Sequence, residues 1–276
     1  MKIRKAYNAG KFYPGTKTEI IDLIDFIYDK EKKNINYSLS GQNIIGGIVP
    51  HAGYNFSGYQ AIHFFEIIKN SKQKFDTIFI INPSHTGYGD EVSLDDNDYW
   101  ENPLGMVETD KDFYKIMNIP VSETANKYEH SGELMLPFLQ YKLSYDFKIV
   151  PITIRMQNFD NANKVAKEIY TANKSLNKNI LLIASSDFSH YLAPEIGKYF
   201  DNMVLNEINN LNSKKLFKTV IRENISVCGY GPIMTLIEYS KLITKNVKIK
   251  ILKRGHSGEV MQSRKVVDYI SILFYH

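Results

Sequence analysis

The chain has 276 residues, of which 43% are hydrophobic and 13% aromatic, a composition that supplies a sizeable core and excludes an intrinsically disordered protein. Its formal net charge of +4 comes from lysines spread along the chain, without the basic block of a nucleic-acid-binding tail. No linker or internal repeat divides the sequence, so we predict a single α/β domain over residues 1–276.

The single cysteine, Cys228, excludes a disulfide within the chain and fits a reducing compartment. Residues 1–7 are charged and lack the apolar core of a signal peptide. No segment reaches the roughly 18 consecutive apolar residues that suggest a membrane span. We therefore expect a cytoplasmic protein that binds neither membrane nor nucleic acid.

The amino-terminal part of the chain predicts two helices and two strands. Thr16 is a suitable N-cap for an amphipathic helix that ends near residue 30. A strand is predicted at residues 44–50 and a helix at residues 61–68, where the apolar spacing is helical. Residues 76–82 form a nearly continuous apolar run, which is typical of a strand covered on both faces.

The middle of the chain is less regular. Residues 87–105 are rich in glycine, aspartate and asparagine, and we predict a long loop of the kind that is often functional. Ser131 is predicted to cap a helix over residues 134–143. That cap would place His130 and Glu133 near the positive end of the helix.

The carboxyl-terminal part alternates strands and helices. Strands are predicted at 147–154, 179–186, 248–253 and 266–274, and helices at 158–172, 194–211, 214–222 and 233–243. Pro151 suggests that its strand lies at a sheet edge or carries a bulge. The alternation along the whole chain predicts a three-layer α/β/α sandwich around a mixed sheet.

Three of the predicted strands end close to a histidine. His51 follows strand 44–50, His85 follows strand 76–82, and Asp187 and His190 follow strand 179–186. In an open α/β sheet, ligands bind at the carboxyl ends of the strands. Since neutral imidazole is a common ligand for zinc, iron and copper, the sequence predicts a metal site at this edge.

The residue types leave the remaining ligand open. The available donors are Cys228, Asp187, His190, Glu133 and His130. A thiolate beside two imidazoles suits Cu(I), Fe(II) or Zn(II), whereas a carboxylate in its place gives a facial triad for oxygen chemistry. Cys228 also lies just before the predicted helix at 233–243, a position that lowers the pKa of a thiol.

Six short motifs resemble, in this order, those of the MEMO family (mediator of cell motility). They are Pro50-His51-Ala52-Gly53-Tyr54, Pro83-Ser84-His85, Pro103-Leu104-Gly105, Glu129-His130-Ser131 with Glu133, Ser185-Ser186-Asp187-Phe188-Ser189-His190, and Cys228-Gly229 with Pro232. The resemblance covers almost the whole chain. It implies a fold similar to that of the class III extradiol ring-cleaving dioxygenases, with a metal-binding cleft.

The resemblance also implies roles for individual residues. His51 and His85 would be the paired imidazole ligands, and Cys228 would stand where the dioxygenases have a carboxylate. His190 would match their acid/base histidine. Because a thiolate changes metal preference and redox behaviour, the resemblance does not decide whether the chain is an enzyme. The family is associated with reduced copper or iron, its animal members with phosphopeptides and its prokaryotic members with a radical-SAM gene neighbourhood.

Three positions depart from the pattern of the family. Asn82 stands where a glycine commonly precedes Pro-Ser-His, and Phe56 where a tyrosine is common. Gly132 stands where a larger apolar residue follows His-Ser. These departures concern loop conformation and the fit of a substrate, because the predicted ligands are all present.

The leading hypothesis is a metal-binding protein with a redox role, which holds Fe(II) or Cu(I), or alternatively Zn(II), and a small molecule or peptide in its cleft. Its metal ligands would be His51, His85 and Cys228, with Asp187, His190, His130 and Glu133 as supporting or acid/base groups. A second hypothesis is a peptide- or phosphopeptide-binding module that uses the same cleft and basic residues such as Arg254 and His256. A third is a hydrolase with Cys228 as nucleophile and a histidine as its partner.

Overall fold

The computed structural model describes all 276 residues and contains twelve strands and nine α-helices. The strands are β1 Ile3–Arg4, β2 Ile44–Val49, β3 Thr77–Pro83, β4 Val92–Asp95, β5 Tyr99–Asn102, β6 Gly105–Glu108, β7 Val121–Ser122, β8 Lys148–Ile154, β9 Ile180–Ser185, β10 His190–Leu192, β11 Lys248–His256 and β12 Val266–Tyr275. The helices are α1 Lys17–Glu31, α2 Tyr54–Lys69, α3 Lys111–Ile116, α4 His130–Glu133, α5 Met135–Lys142, α6 Phe159–Leu176, α7 Pro194–Asn209, α8 Ser213–Arg222 and α9 Tyr230–Ile243.

Nine strands form one mixed sheet in the order β10-β12-β2-β9-β3-β8-β4-β7, with β11 paired to β12. The central strands β2, β9, β3 and β8 are parallel to one another. Their carboxyl ends therefore lie at one edge of the sheet. A second, three-stranded sheet has the order β1-β5-β6.

Helices pack on both faces of the large sheet, because its strands bury side chains in both directions. In β3, Ile78 and Ile80 join the core that includes residues of α1, α2 and α5, whereas Phe79 and Ile81 join the core that includes residues of α6 and α9. This alternation is the period of two expected for a strand covered on both faces. The predicted mixed α/β fold is confirmed. None of the helices combines the length and apolar character that crossing a bilayer requires.

Side-chain caps explain where the predicted helices begin. Thr16 accepts a hydrogen bond from the Glu19 N–H (3.3 Å) at the start of α1, as predicted, and Asn158 caps α6 in the same way. Helix α2 begins at Tyr54, earlier than predicted, and includes Gly58. A Cβ atom at Gly58 would lie 2.6 Å from Ile27 Cδ1, so this glycine permits the close packing of α1 on α2.

The prediction of a long loop at residues 87–105 is wrong, since the segment contains β4, β5 and the turn into β6. Trp100 is fully buried in β5, and its indole N–H donates to Asp95 Oδ2 (2.8 Å). The turn between β5 and β6 needs Gly105 at φ +126°, where glycine is favoured. One of the polar residues that suggested a loop, Asp95, is therefore the hydrogen-bond partner of a buried tryptophan.

Two smaller predictions are also wrong. Strand β8, which contains Pro151, lies between β3 and β4 and not at an edge. Its pairing with β4 begins only at Ile152, so Pro151 requires no hydrogen bond on that side. The cap near residue 131 is the Glu129 side chain, which accepts from the Ser131 N–H, and the helix begins at His130.

Candidate metal centre

Three donor atoms from three distant parts of the chain lie together at the carboxyl edge of the sheet. His51 follows β2, His85 follows β3, and Cys228 precedes α9. The ligand atoms of these residues all lie within 4.8 Å of one another. His51 is buried, Cys228 is partly buried and His85 is exposed, so the cluster opens to solvent on the side of His85.

Hydrogen bonds fix the tautomer of His51. The Ser185 hydroxyl donates to Ser131 O (2.8 Å), so Ser185 Oγ accepts from His51 Nδ1–H (2.8 Å). Nε2 is then unprotonated and faces Cys228 Sγ at 3.2 Å. Burial, reinforced by the nearby His130, lowers the pKa of His51 well below its ordinary value. His51 is therefore a neutral imidazole with its donor nitrogen directed at the thiol.

Cys228 is held in place by its backbone. Gln157 Nε2 donates to Cys228 O (2.7 Å), and the Gly229 N–H donates to Ser186 Oγ (2.9 Å). A Cβ atom at Gly229 would lie 2.3 Å from Ser185 O, so only glycine permits this approach of the chain to β9. These contacts bring the sulfur to the end of the strand.

The predicted lowering of the Cys228 pKa is wrong. Burial and the neighbouring Asp187 raise the pKa of the thiol well above its ordinary value, although the Asp187 N–H donates to Sγ (3.2 Å). A neutral thiol is a poor nucleophile, which argues against the hydrolase hypothesis. A coordinated cation would lower the pKa of Cys228 and favour the thiolate, because thiols that bind metals are deprotonated.

The donor nitrogen of His85 is also set by a hydrogen bond. His85 Nδ1–H donates to Glu129 Oε1 (2.8 Å), and the His85 backbone N–H donates to Glu129 Oε2 (2.6 Å). Burial opposes ionisation of Glu129, but the hydrogen bonds from His85 and Ser131 hold its pKa at about 2. This carboxylate therefore leaves His85 Nε2 as the free donor.

His130 completes a cluster of three imidazoles. Its ring stacks on Phe12 at 4.4 Å and lies 5.3 Å from the His51 ring and 4.6 Å from the His85 ring. Burial lowers the pKa of His130 to about 4, against the opposing charge of Glu129. A second set of possible ligands, formed by His85, Glu129 and His130, therefore shares His85 with the first.

The chain matches known proteins over nearly its full length. Residues 4–273 match the family described as Memo-like protein. A MEMO1 family protein of Methanococcoides burtonii is 37% identical over 276 residues, covering 98% of this chain and 99% of that protein. A MEMO1 family protein of Archaeoglobus fulgidus is 37% identical, covering 96% of this chain and 97% of that protein. This chain belongs to the Memo-like family. The resemblance inferred from its motifs is confirmed.

A solved structure is similar to the Memo-like chain more weakly. It is an uncharacterized protein of Escherichia coli K12, with a TM-score of 0.47, 14% sequence identity, and coverage of 75% of this chain and 90% of that chain.

Asp187 and His190 lie beside the cluster without joining it. Asp187 Oδ1 accepts from the His51 backbone N–H (2.8 Å), so this carboxylate positions the turn that carries His51. Burial raises the pKa of Asp187 to about 6. His190 Nδ1–H donates to Ser226 O (2.7 Å), so Nε2 is the ring nitrogen that can accept a proton.

Glu133 and Arg254 are engaged elsewhere. Glu133 forms a buried ion pair with Arg4 (2.6 Å) and accepts hydrogen bonds from Asn8 and Tyr13. The Arg254 guanidinium is paired with Asp201 (2.8 Å) and Asn202 (2.8 Å). Arg254 therefore has no unpaired charge to offer to a phosphate group.

Sequence reasoning overlooked three residues that orient the donors: Glu129, Ser185 and Gln157. Glu129 stood inside a motif next to His130, and Ser185 inside the motif that ends at His190. Both could have been found by asking which residue fixes each imidazole. Gln157 carries no such signal, because it is 71 residues from Cys228 in the chain.

Asn82 and Gly132, two of the departures from the family pattern, are neighbours in the folded chain. A Cβ atom at Gly132 would lie 2.9 Å from Asn82 Oδ1 and 3.4 Å from the Trp100 ring. The Asn82 side chain thus occupies the space that a side chain at position 132 would need. The glycine accommodates the asparagine.

Gly132→Ala is therefore expected to destabilise the protein by about 1–3 kcal/mol through overpacking. In an Asn82→Gly background the same substitution should cost at least about 1 kcal/mol less, because the conflicting side chain is gone. Urea unfolding of the two single variants and the double variant measures this coupling. Equal costs in both backgrounds would show that the two positions are independent.

Proposed function

We propose that this Memo-like chain is a metal-binding protein with a redox role, which holds Fe(II) or Cu(I) through His51, His85 and Cys228. The observation that carries the proposal is the gathering of these three ligand atoms within 4.8 Å of one another. Two imidazoles and a thiolate suit soft or borderline ions, so Zn(II) is the alternative, whereas Mg²⁺ and Ca²⁺ prefer oxygen ligands.

The donors fit such an ion in chemical type and in orientation. The hydrogen bond to Ser185 leaves His51 Nε2 unprotonated, and the hydrogen bond from His85 Nδ1 to Glu129 leaves Nε2 as the ligand atom of His85. When bound, the metal would supply electron transfer and open positions for a small ligand. Such a site agrees with the extradiol dioxygenase-like sandwich that the motifs suggest, and its thiolate suits a reducing, cytoplasmic environment.

The protein's own groups then bind and move protons around a small molecule or peptide in the cleft. His190 Nε2 is the ring nitrogen suited to accept a proton, since Nδ1–H donates to Ser226 O. Asp187 positions the turn that carries His51 by accepting a hydrogen bond from its backbone N–H. Neutral His130, stacked on Phe12, lines the cleft. Glu133, paired with Arg4, acts as a structural residue.

Metal analysis of protein purified without oxygen tests the proposal. The unaltered chain should retain iron or copper, and both His51→Ala and Cys228→Ala should lose it, because each removes a donor. His276→Ala, which replaces an exposed histidine outside the cluster, is the matched control. Metal content unchanged in both ligand variants would rule the site out, and peptide binding that survives a chelator would favour the binding-module hypothesis.

Glu129→Gln should produce a graded effect. The variant keeps all three donors but weakens the hydrogen bond that orients His85, so metal affinity should fall about 10- to 100-fold without being abolished. Competition with a chromophoric chelator measures this change. An affinity equal to that of the unaltered chain would show that Glu129 does not tune the site.

A further inference from the structure

A cavity of about 350 Å³ lies between the start of α7, the end of β11 and the start of β12. No hydrophobic side chain lines it. Its lining residues are Pro194, Glu195, Lys198, Arg254, Gly255, His256, Glu259 and Asp268. None of these residues belongs to the proposed metal site, so the cavity is a separate place for a ligand.

The charges around this cavity favour a cation. Three lining carboxylates, those of Glu195, Glu259 and Asp268, form no ion pair. Of the two basic residues, Arg254 is neutralised by Asp201, and only Lys198 is unpaired. An anion would face this excess of carboxylates without compensation.

Asp268 is the strongest sign of a ligand. The residue is only 3% exposed, and its Oδ2 has no hydrogen-bond partner. A Cβ atom at Gly197 would lie 2.2 Å from this oxygen, so α7 carries a glycine where it passes the carboxylate. Burial and the adjacent Asp201 raise the pKa of Asp268 to about 7. The Asp268 side chain also shares a hydrogen bond with Asp201, so two carboxyl groups lie side by side. A bound cation would satisfy the unpartnered Oδ2 and offset the repulsion between the two groups.

The cavity is built on rigid backbone. The Phe188 N–H donates to Asp268 O (2.9 Å), and the Asp268 N–H donates to Ser189 O (2.8 Å). On the other strand, His256 pairs with Asp268 in the register of β11 and β12, and its Nδ1 also lacks a partner. Two polar atoms without partners therefore belong to neighbouring, fixed positions of one cavity.

We propose that this cavity binds a small organic cation with a primary ammonium group. The ammonium N–H groups would donate hydrogen bonds to the carboxyl oxygens of Asp268 and Glu259. An ammonium group offers three donors and one positive charge, which matches the unpartnered Oδ2 of a buried carboxyl group and a second carboxylate at the rim. The absence of apolar lining and the small volume favour a short polar molecule over an extended chain.

Ethanolamine is a suitable probe and ethylene glycol its neutral counterpart. At about pH 8 the amine is protonated. Amide chemical shifts of Gly255 and Gly258 in the full chain should change saturably with ethanolamine and not with ethylene glycol. Equal effects of the two compounds, absence of saturation, or displacement by potassium at equal concentration would overturn the proposal.

Two variants decide where the probe binds. Asp268→Asn should weaken ethanolamine binding at least about tenfold, since it removes the buried charge of a charge-assisted hydrogen bond. Glu259→Gln, at an exposed position, should weaken it about two- to threefold, and it keeps the proposal testable if Asp268→Asn fails to fold. Glu123→Gln, an exposed carboxylate after β7, is the control and should change nothing. Full affinity in both cavity variants would overturn the assignment.

Discussion

Arg4→Met is expected to destabilise the protein by about 3–5 kcal/mol, because it leaves a buried carboxylate without its counterion. The side chains of Arg4 and Glu133 are 1% and 0% exposed, and Nη1 lies 2.6 Å from Glu133 Oε2. The guanidinium also donates to Asn126 O (2.7 Å) and Glu129 O (2.7 Å) and stacks over Trp100 at 4.2 Å. Methionine preserves much of the volume but none of these hydrogen bonds.

Chemical denaturation measures this loss, with Lys5→Met as the matched control. Lys5 is the next residue, and its ion pair with Glu101 is solvent-exposed, so its removal should cost less than about 1 kcal/mol. Adding Glu133→Gln to Arg4→Met should recover part of the stability, because the double variant no longer buries a lone charge. An Arg4→Met variant as stable as Lys5→Met would disprove the structural role of the pair.

The same ion pair connects the amino terminus to the candidate metal centre. Arg4 holds the carbonyl of Glu129, and the carboxylate of Glu129 holds both the ring and the backbone of His85. Glu133 anchors the other side of Arg4 at the end of α4. Arg4, in the short strand β1, therefore helps to position a histidine more than eighty residues away in the chain.

The position of the candidate donors was predictable from the sequence because it depends on strand ends. The apolar runs that precede His51 and His85 are long and β-branched, and parallel strands carry their following residues to a common edge. Cys228 was placed in the cluster by its motif alone. The gap of 177 residues between its sulfur and His51 Nε2 leaves no periodic pattern.

The roles of Asp95 and Glu133 depend on contacts in the folded chain that the local sequence does not indicate. Asp95 and Trp100 lie in a segment whose polar residues and glycines suggest a loop, yet the aspartate is the buried acceptor of the indole N–H. Glu133 reads as an acid/base candidate because it follows His130, and only the fold reveals its partner Arg4, 129 residues away. In both cases a charged side chain was judged by its neighbours in sequence, whereas its role is set by its neighbours in space.

Acid is expected to destabilise the chelator-treated protein partly through His130. Its pKa is about 4 in the folded protein and 6.5 for a solvated histidine, so between these values the unfolded chain binds more protons. Stability should therefore fall as the pH decreases from about 6.5 to about 4, and His130 should account for about 3 kcal/mol of this fall. The side chain is only 19% exposed, so solvent screening of this effect is limited.

His130→Phe isolates that contribution, because phenylalanine can keep the stacking on Phe12 but cannot bind a proton. His51 also has a lowered pKa and Asp187 a raised one, and burial, the main cause of both shifts, persists in the variant. Denaturant unfolding at several pH values should show a smaller loss of stability for His130→Phe than for the unaltered chain. His276→Phe, at the exposed carboxyl terminus, should retain the full loss. Identical pH profiles for His130→Phe and the unaltered chain would show that His130 is not held neutral by burial.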